Sequence, residues 1–157
     1  MSNYVTAKLI LHAVYNAINA ASPREMVSSF VKNNPQFLDE KEKIKIFALG
    51  KASLPMVDGF LDVVPDDRLL SGLVITHIDS EHQKTSKKIQ IVKAPHPLPD
   101  ESSIRAGTLA REFFQESNST DHMVCLISGG GSSMMVAPKR GLKPSPRFFW
   151  VMLLFSI

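Results

Sequence analysis

The segment Ile44-Lys45-Ile46-Phe47-Ala48-Leu49-Gly50-Lys51-Ala52-Ser53 decides the fold. A short β-branched run turns fully apolar toward its end and stops at a glycine. That is the pattern of a strand buried at its carboxyl end. Met56, Val57, Phe60 and Leu61 follow at helical spacing, with Pro55 tolerated only if it lies in the first turn. A strand, a glycine turn and a helix in succession make one unit of an α/β sheet.

Upstream, Val5, Leu9, Ala13, Ala17 and Ala21, with Ile10, Val14 and Ile18 beside them, form an apolar stripe of helical period. Ser22-Pro23-Arg24-Glu25 starts a second helix: Ser22 as N-cap, Pro23 at the first helical position, Glu25 as a capping-box acid. Met26, Val27, Phe30 and Val31 lie on this helix, which ends near Asn33-Asn34-Pro35. Downstream, Gly72–Thr76, Ile89–Ala94 and Met123–Ile127 read as further strands. Asp100 can cap a helix whose Ile104, Leu109, Phe113 and Phe114 face inward. Strands linked through helices pair in parallel, so the expected fold class is α/β, an open, mostly parallel, Rossmann-like sheet flanked by helices. Ile46, Phe47, Val74, Ile75, Ile91, Val92, Leu126 and Ile127 are expected in one core.

Composition narrows the function. The chain has 157 residues, one domain's worth, with 18 basic and 15 acidic groups. Apolar residues make up 44% and charged residues 21%, the proportions of an ordinary globular chain. The isoelectric point of 9.1 is basic. Lysines and glutamates nonetheless interleave, and no basic face builds up for nucleic acid. Cys125 is the sole cysteine, so no intramolecular disulfide forms and a reducing compartment is expected. It lies within an apolar strand and reads as core. His77 and His82 flank a charged loop and read as solvated. Asp58, Asp66, Asp67 and Asp79 show no metal-ligand spacing and read as surface carboxylates.

Two glycine turns follow strands, where ligands of open α/β sheets sit. In the first, Gly50 lets the chain turn and Lys51 places a positive charge at a helix mouth, a setting that favours an anion. It is not a Walker A loop, and alone it reads more readily as a solvated lysine at a helix start than as an anion site. The second, Ile127-Ser128-Gly129-Gly130-Gly131-Ser132-Ser133, is more telling. Three glycines permit positive φ and close ligand approach, while Ser128, Ser132 and Ser133 bring hydroxyl donors. A phosphate or a carboxylate suits such a loop. Neither a dinucleotide fingerprint nor a nucleophile elbow is present. His96, held between Pro95 and Pro97, and Asp100 stand either at a site edge or simply in a strand-to-helix connection that Asp100 caps.

The order and spacing of Phe47–Ser53 (FALGKAS), Ala94–Gly107 (APHPLPDESSIRAG) and Leu126–Leu142 (LISGGGSSMMVAPKRGL) resemble the N-terminal part of a glycerate 2-kinase of the MOFRL-containing type, a family also labelled hydroxypyruvate reductase. The resemblance runs from about Asn3 to Leu142. It implies transfer of the γ-phosphoryl group of ATP, with a divalent metal such as Mg2+, to the 2-hydroxyl of D-glycerate. It places the family's active-site lysine on Lys51 and its glycine-rich substrate or phosphate loop, beside Gly50, on Ser128–Ser133. His96 and Asp100 match the family's His-Pro-x-Pro-Asp loop. The metal ligands are not assigned.

Family members are longer, and the pattern stops after Leu142. Residues 1–142 are therefore expected to be a partial N-terminal α/β domain, and 143–157 an apolar tail that departs from the family. Phe148–Ile157 (FFWVMLLFSI) is far short of the ~20 residues that span a bilayer. It is expected to drive self-association. The chain alone is expected to be an inactive fragment with D-glycerate and ATP as its small-molecule partners. A hydroxypyruvate reductase and a non-enzymatic anion-binding module are the alternatives; the first lacks the dinucleotide fingerprint and ribose-binding acid. No acidic residue precedes Glu25, yet only Lys8 and Arg24 are basic there, so a first helix is favoured over a transit peptide. A cytoplasmic location is expected, a mitochondrial one less so.

Overall fold

The structure is a computed structural model that describes residues 2–38, 43–77, 79, 86–118 and 121–137. The expected apolar tail 143–157, residues 138–142 of the third motif, and His82 lie outside the described residues.

Helix α1 (Ser2–Ala20) leads into α2 (Pro23–Asn33). Strand β1 (Ile44–Leu49) is followed by α3 (Ser53–Leu61), β2 (Leu69–His77) and β3 (Ile89–Ala94). Helix α4 (Glu101–Gln115), β4 (His122–Ile127) and the single turn α5 (Gly131–Met134) complete the order. Pro55 falls in the first turn of α3, the one place the sequence allowed it.

The strands form one 4-stranded sheet in the order β3-β2-β1-β4, every pair parallel. The open parallel α/β fold is thus as expected. β1 sits centrally, with Ala48 opposite Val74 of β2 on one side and Leu126 of β4 on the other. From β1 the chain steps outward to β2 and β3, then returns through α4 to place β4 on the far side of β1. The carboxyl ends of β1 and β4 therefore flank the point where the strand order reverses.

The expected single core is in fact two. Because side chains alternate along a strand, β1 sends Ile44, Ile46 and Ala48 to one face and Phe47 and Leu49 to the other. Ile46, Val74 and Leu126 pack with Leu54, Val57 and Phe60 of α3. Phe47 and Ile75 pack with Ala106 and Ala110 of α4 and with Met134. Ile91 joins the first cluster from its rim and Val92 the second.

Edge position corrects two further expectations. Ile127 is 55% exposed, and Cys125 is exposed and free rather than core. Among the described residues β4 has a strand neighbour on one side only, and of its apolar residues only Val124 and Leu126 are buried.

The helices depart from expectation in detail. Ser22 is the N-cap of α2 but makes no side-chain cap bond, and Glu25 closes no capping box. The Ser22 carbonyl instead accepts from the Met26 N–H at 2.9 Å. The Arg24 guanidinium grips the Asp62 carboxylate at 2.6 and 2.7 Å, joining α2 to the end of α3. The buried face of α4 is the small-residue set Ser103, Ala106, Gly107 and Ala110, while Leu109 and Phe113 pack at its margin. Phe114 remains 44% exposed, although its ring lies 4.8 Å from that of Phe47. In α1, Leu9, Ile10, Val14 and Ile18 are all exposed among the described residues.

Candidate functional site

Both glycine turns lie at the reversal point, and they interlock. Gly50, at φ +121°, donates to the Ile75 carbonyl at 3.0 Å. A Cβ on Gly50 would run into the Ser128 backbone and hydroxyl, so only glycine lets the two turns meet. The Lys51 N–H donates to the Gly129 carbonyl at 2.9 Å, and the Ser128 N–H to the Leu49 carbonyl at 2.8 Å. Ser53, fully buried, donates its hydroxyl to the Ile75 carbonyl at 3.1 Å and holds the first turn of α3 against β2.

The serines of the second turn divide by task. The Ser128 hydroxyl accepts from the Ala52 N–H at 3.0 Å and faces the Leu49 carbonyl at 3.4 Å. The Ser133 hydroxyl, buried, donates to the Gly130 carbonyl at 3.0 Å. These two were expected as donors to a ligand; both hydroxyls are instead spent on holding the turn. Ser132 is exposed. Among the described residues, the backbone N–H groups of Gly129, Gly130, Gly131 and Ser132 have no acceptor. Consecutive N–H groups left open in a glycine turn form an anion-binding concavity.

Gly130 is the hinge of this arrangement. Its φ is +92°, and a Cβ there would lie 2.9 Å from Cδ2 of His96 and 3.2 Å from Cε of Lys51. The glycine-rich turn, the lysine and the histidine are thereby brought into one place. Lys51 is exposed, and its ammonium pairs with no carboxylate among the described residues. A cleft of about 340 Å³ is lined by Lys51, His77, Asp79 and His96. That volume falls in the range of small-ligand sites, roughly 300–1,000 Å³.

His96 is half-buried in this cleft. Burial first, then the charge of Lys51 and the neighbouring His77, pushes its pKa down from 6.5, which leaves the imidazole neutral at pH 7. His77 was read from sequence as solvated. It stands instead at the end of β2 facing the same cleft, and its Nδ1 accepts from the Asp79 N–H at 3.3 Å. The signal that could have found it is its position one residue past the Gly72–Thr76 run, where site residues of parallel sheets sit. Asp79 reaches the cleft rim, with its side chain 84% exposed.

Asp100 is not brought to the cleft lining. It caps α4, accepting from the Ser102 N–H at 2.7 Å and the Ser103 N–H at 3.3 Å, and the Ser103 hydroxyl accepts in return from the Asp100 N–H. The Ser102 hydroxyl bond, followed by these backbone bonds, holds its carboxyl below the ordinary range. Its structural reading, a helix cap, is the one realised.

Among the described residues no group of three His, Cys, Asp or Glu side chains could hold a metal ion. The cleft offers one carboxylate, two imidazoles and a cation, whereas Mg2+ wants several oxygen ligands. The described residues therefore do not build a Mg2+ site.

An open parallel sheet whose two glycine turns meet at its reversal point, beside a lysine with no carboxylate partner among the described residues, has the arrangement at which ligands of open α/β sheets sit. The chain belongs to the family described as "Domain of unknown function (DUF4147)", which matches residues 9–147. It is 31% identical over 139 residues to the glycerate 2-kinase of Pyrococcus horikoshii, covering 84% of this chain and 30% of that protein. It is 34% identical over 137 residues to an Agrobacterium vitis protein that bears a provisional hydroxypyruvate reductase name, covering 87% of this chain and 30% of that one. The crystal structure of a glycerate kinase from Thermotoga maritima superposes with a TM-score of 0.74 at 27% identity, covering 89% of this chain and 32% of that chain. The resemblance to the N-terminal part of the glycerate 2-kinase family thus holds. The chain spans about a third of the length of these relatives. Among the described residues no helix is long and apolar enough to cross a membrane.

Proposed function

We propose that this chain supplies the acceptor-binding and charge-neutralising part of a D-glycerate 2-kinase, which converts ATP and D-glycerate to ADP and 2-phosphoglycerate. The observation that carries this reading is the meeting of Lys51 with the open N–H groups of Gly129–Ser132 at the reversal point of the sheet. Relatives named glycerate 2-kinase support the choice of substrates.

In this reading the loop N–H groups bind an anionic group of the substrate without any side chain having to reorganise. Lys51, exposed and without a carboxylate partner among the described residues, neutralises charge that builds on the phosphoryl group during transfer. The 2-hydroxyl oxygen bonds to the γ-phosphorus as the bond from that phosphorus to the β-phosphate bridging oxygen breaks. Donor and acceptor must be held together for this, so turnover needs the remaining length of the relatives, and the 157 residues alone are expected to bind without turning over.

A reductase reading takes its support from the name of the Agrobacterium relative, and it lacks the glycine fingerprint that a nicotinamide cofactor uses. Two assays on a polypeptide of the relatives' length separate the readings: ATP with D-glycerate, and NADH with hydroxypyruvate. Formation of 2-phosphoglycerate is the expected result. Oxidation of NADH instead would overturn the kinase reading. Failure of both, with anion binding retained, would leave a non-enzymatic anion-binding module.

A further inference from the structure

We propose that His96 receives the acceptor's 2-hydroxyl: the Gly129–Ser132 turn holds the carboxylate of a small 2-hydroxy acid, and the His96 imidazole accepts first the hydrogen bond and then the proton of the neighbouring hydroxyl. This rests on the acceptor reading above and assigns His96, which the sequence left at the site edge, a catalytic task.

The geometry points there in three ways. First, a 2-hydroxy acid carries its carboxylate and hydroxyl on adjacent carbons, so a turn that grips the one needs an acceptor close by for the other. The Cδ2 edge of His96, which adjoins its Nε2, lies against Gly130 of that turn. Second, the ring nitrogens of His96 have no partner among the described residues, although the side chain is half-buried. Third, the groups facing His96 suit it to accept rather than donate. Lys51 approaches from the turn after β1, and its charge opposes a second positive charge on the imidazole. From the end of β2, His77 faces the same cleft, and its Nδ1 accepts from the Asp79 N–H at 3.3 Å with the Asp79 carboxylate 3.6 Å away. Asp79 is turned to solvent at the rim.

The hydroxyl O–H bond breaks and its proton passes to His96. The oxygen's electron pair bonds to the γ-phosphorus of a nucleoside triphosphate. The bond to the β-phosphate bridging oxygen breaks, and the nucleoside diphosphate leaves with that electron pair. The imidazolium, next to Lys51, then gives its proton to water.

The test uses the 157-residue chain and two acids that differ only at the 2-hydroxyl, D-glycerate and 3-hydroxypropionate. Amide resonances of Gly129–Ser132 and the imidazole resonances of His96 are followed by NMR at neutral pH. Both acids should move the loop amides, D-glycerate alone should move His96, and D-glycerate should bind about three- to tenfold more tightly. His96→Gln should keep the loop shifts and shrink that preference. Loop shifts from both acids with His96 unmoved by either, or moved equally by both, would overturn the role given to His96 while leaving the anion turn intact. No loop shift with either acid would overturn the acceptor reading on which it rests.

Discussion

The Lys51 backbone N–H donates to the Gly129 carbonyl at 2.9 Å, so the lysine of one glycine turn is fastened to the first glycine of the other. The Ala52 N–H donates to the Ser128 hydroxyl at 3.0 Å and adds a second fastening beside it. These bonds turn two loops into one concave site and leave the Lys51 side chain and the next loop N–H groups open.

Removing the second fastening should loosen the site. Ser128→Ala leaves the partly buried Ala52 N–H without its acceptor, a loss of about 1–3 kcal/mol. Urea unfolding should show a lower midpoint at an unchanged slope. An unchanged midpoint would mean that the Ser128 bond contributes nothing to the turn.

Neighbouring glycines should answer differently to substitution. A Cβ at Gly129 meets nothing within 4 Å, and its φ is not positive, so Gly129→Ala should stay within ~0.5 kcal/mol of wild type. Gly130→Val asks a β-branched residue to adopt φ +92° against His96 and Lys51, and should cost roughly 1–3 kcal/mol together with weaker anion binding. Equal stability of the two variants would contradict the backbone conformation assigned to Gly130.

Much of this was legible from the residues. Each strand is a β-branched or apolar run, and two of them end at a glycine turn, so the parallel sheet and both turns followed from local pattern. The meeting of the turns did not, because it depends on β4 returning to lie beside β1, a tertiary choice that no local pattern encodes. The fate of the serines was hidden for a related reason. Ser128 and Ser133 have the chemistry of ligand donors, and only the fold shows their hydroxyls already spent. His77 looks like the start of a polar loop because Asp79-Ser80-Glu81-His82 follows closely, while its spatial neighbours are Lys51 and His96. In α1 the apolar stripe foretold a helix, but periodicity says nothing of what a helix packs on.

The two-faced core makes a mutational contrast. Ile46 is fully buried in the centre of the sheet, and Ile46→Ala should cost about 2–5 kcal/mol. Ile127, 55% exposed on the edge strand, should tolerate alanine to within ~0.5 kcal/mol. Chemical denaturation of both variants checks the sheet order. Similar large losses at both sites would mean that β4 is covered in the isolated chain.

Stability should fall in acid in two stages. The His96 pKa is lower in the folded chain than its ordinary 6.5, so below about that pH the unfolded chain binds the extra proton and stability declines as pH falls toward the folded value. Asp62, Asp66, Asp100 and Asp121 are also lowered, so they stabilise the fold above the ordinary carboxylate range and lose that contribution as pH falls below it. His96→Gln should remove the first stage and keep the second. Persistence of the first stage in that variant would assign it to another group.

In a polypeptide of the relatives' length, Lys51→Ala should lower kcat by about a hundred- to a thousandfold, the usual cost of losing one preorganised electrostatic donor, with a smaller change in KM for D-glycerate. Steady-state kinetics with ATP and D-glycerate checks this, and wild-type turnover in the variant would remove the catalytic role from Lys51.

Titration of the 157-residue chain with inorganic phosphate decides whether Lys51 and the Gly129–Ser132 turn form a single anion site. The backbone amide resonances of the turn are followed by NMR in wild type and in Lys51→Ala. The account predicts saturable shifts at Gly129–Ser132 and binding about tenfold weaker without the lysine, as befits a lost charge-assisted contact. Turn amides that ignore phosphate, or that bind it equally well in Lys51→Ala, would contradict it.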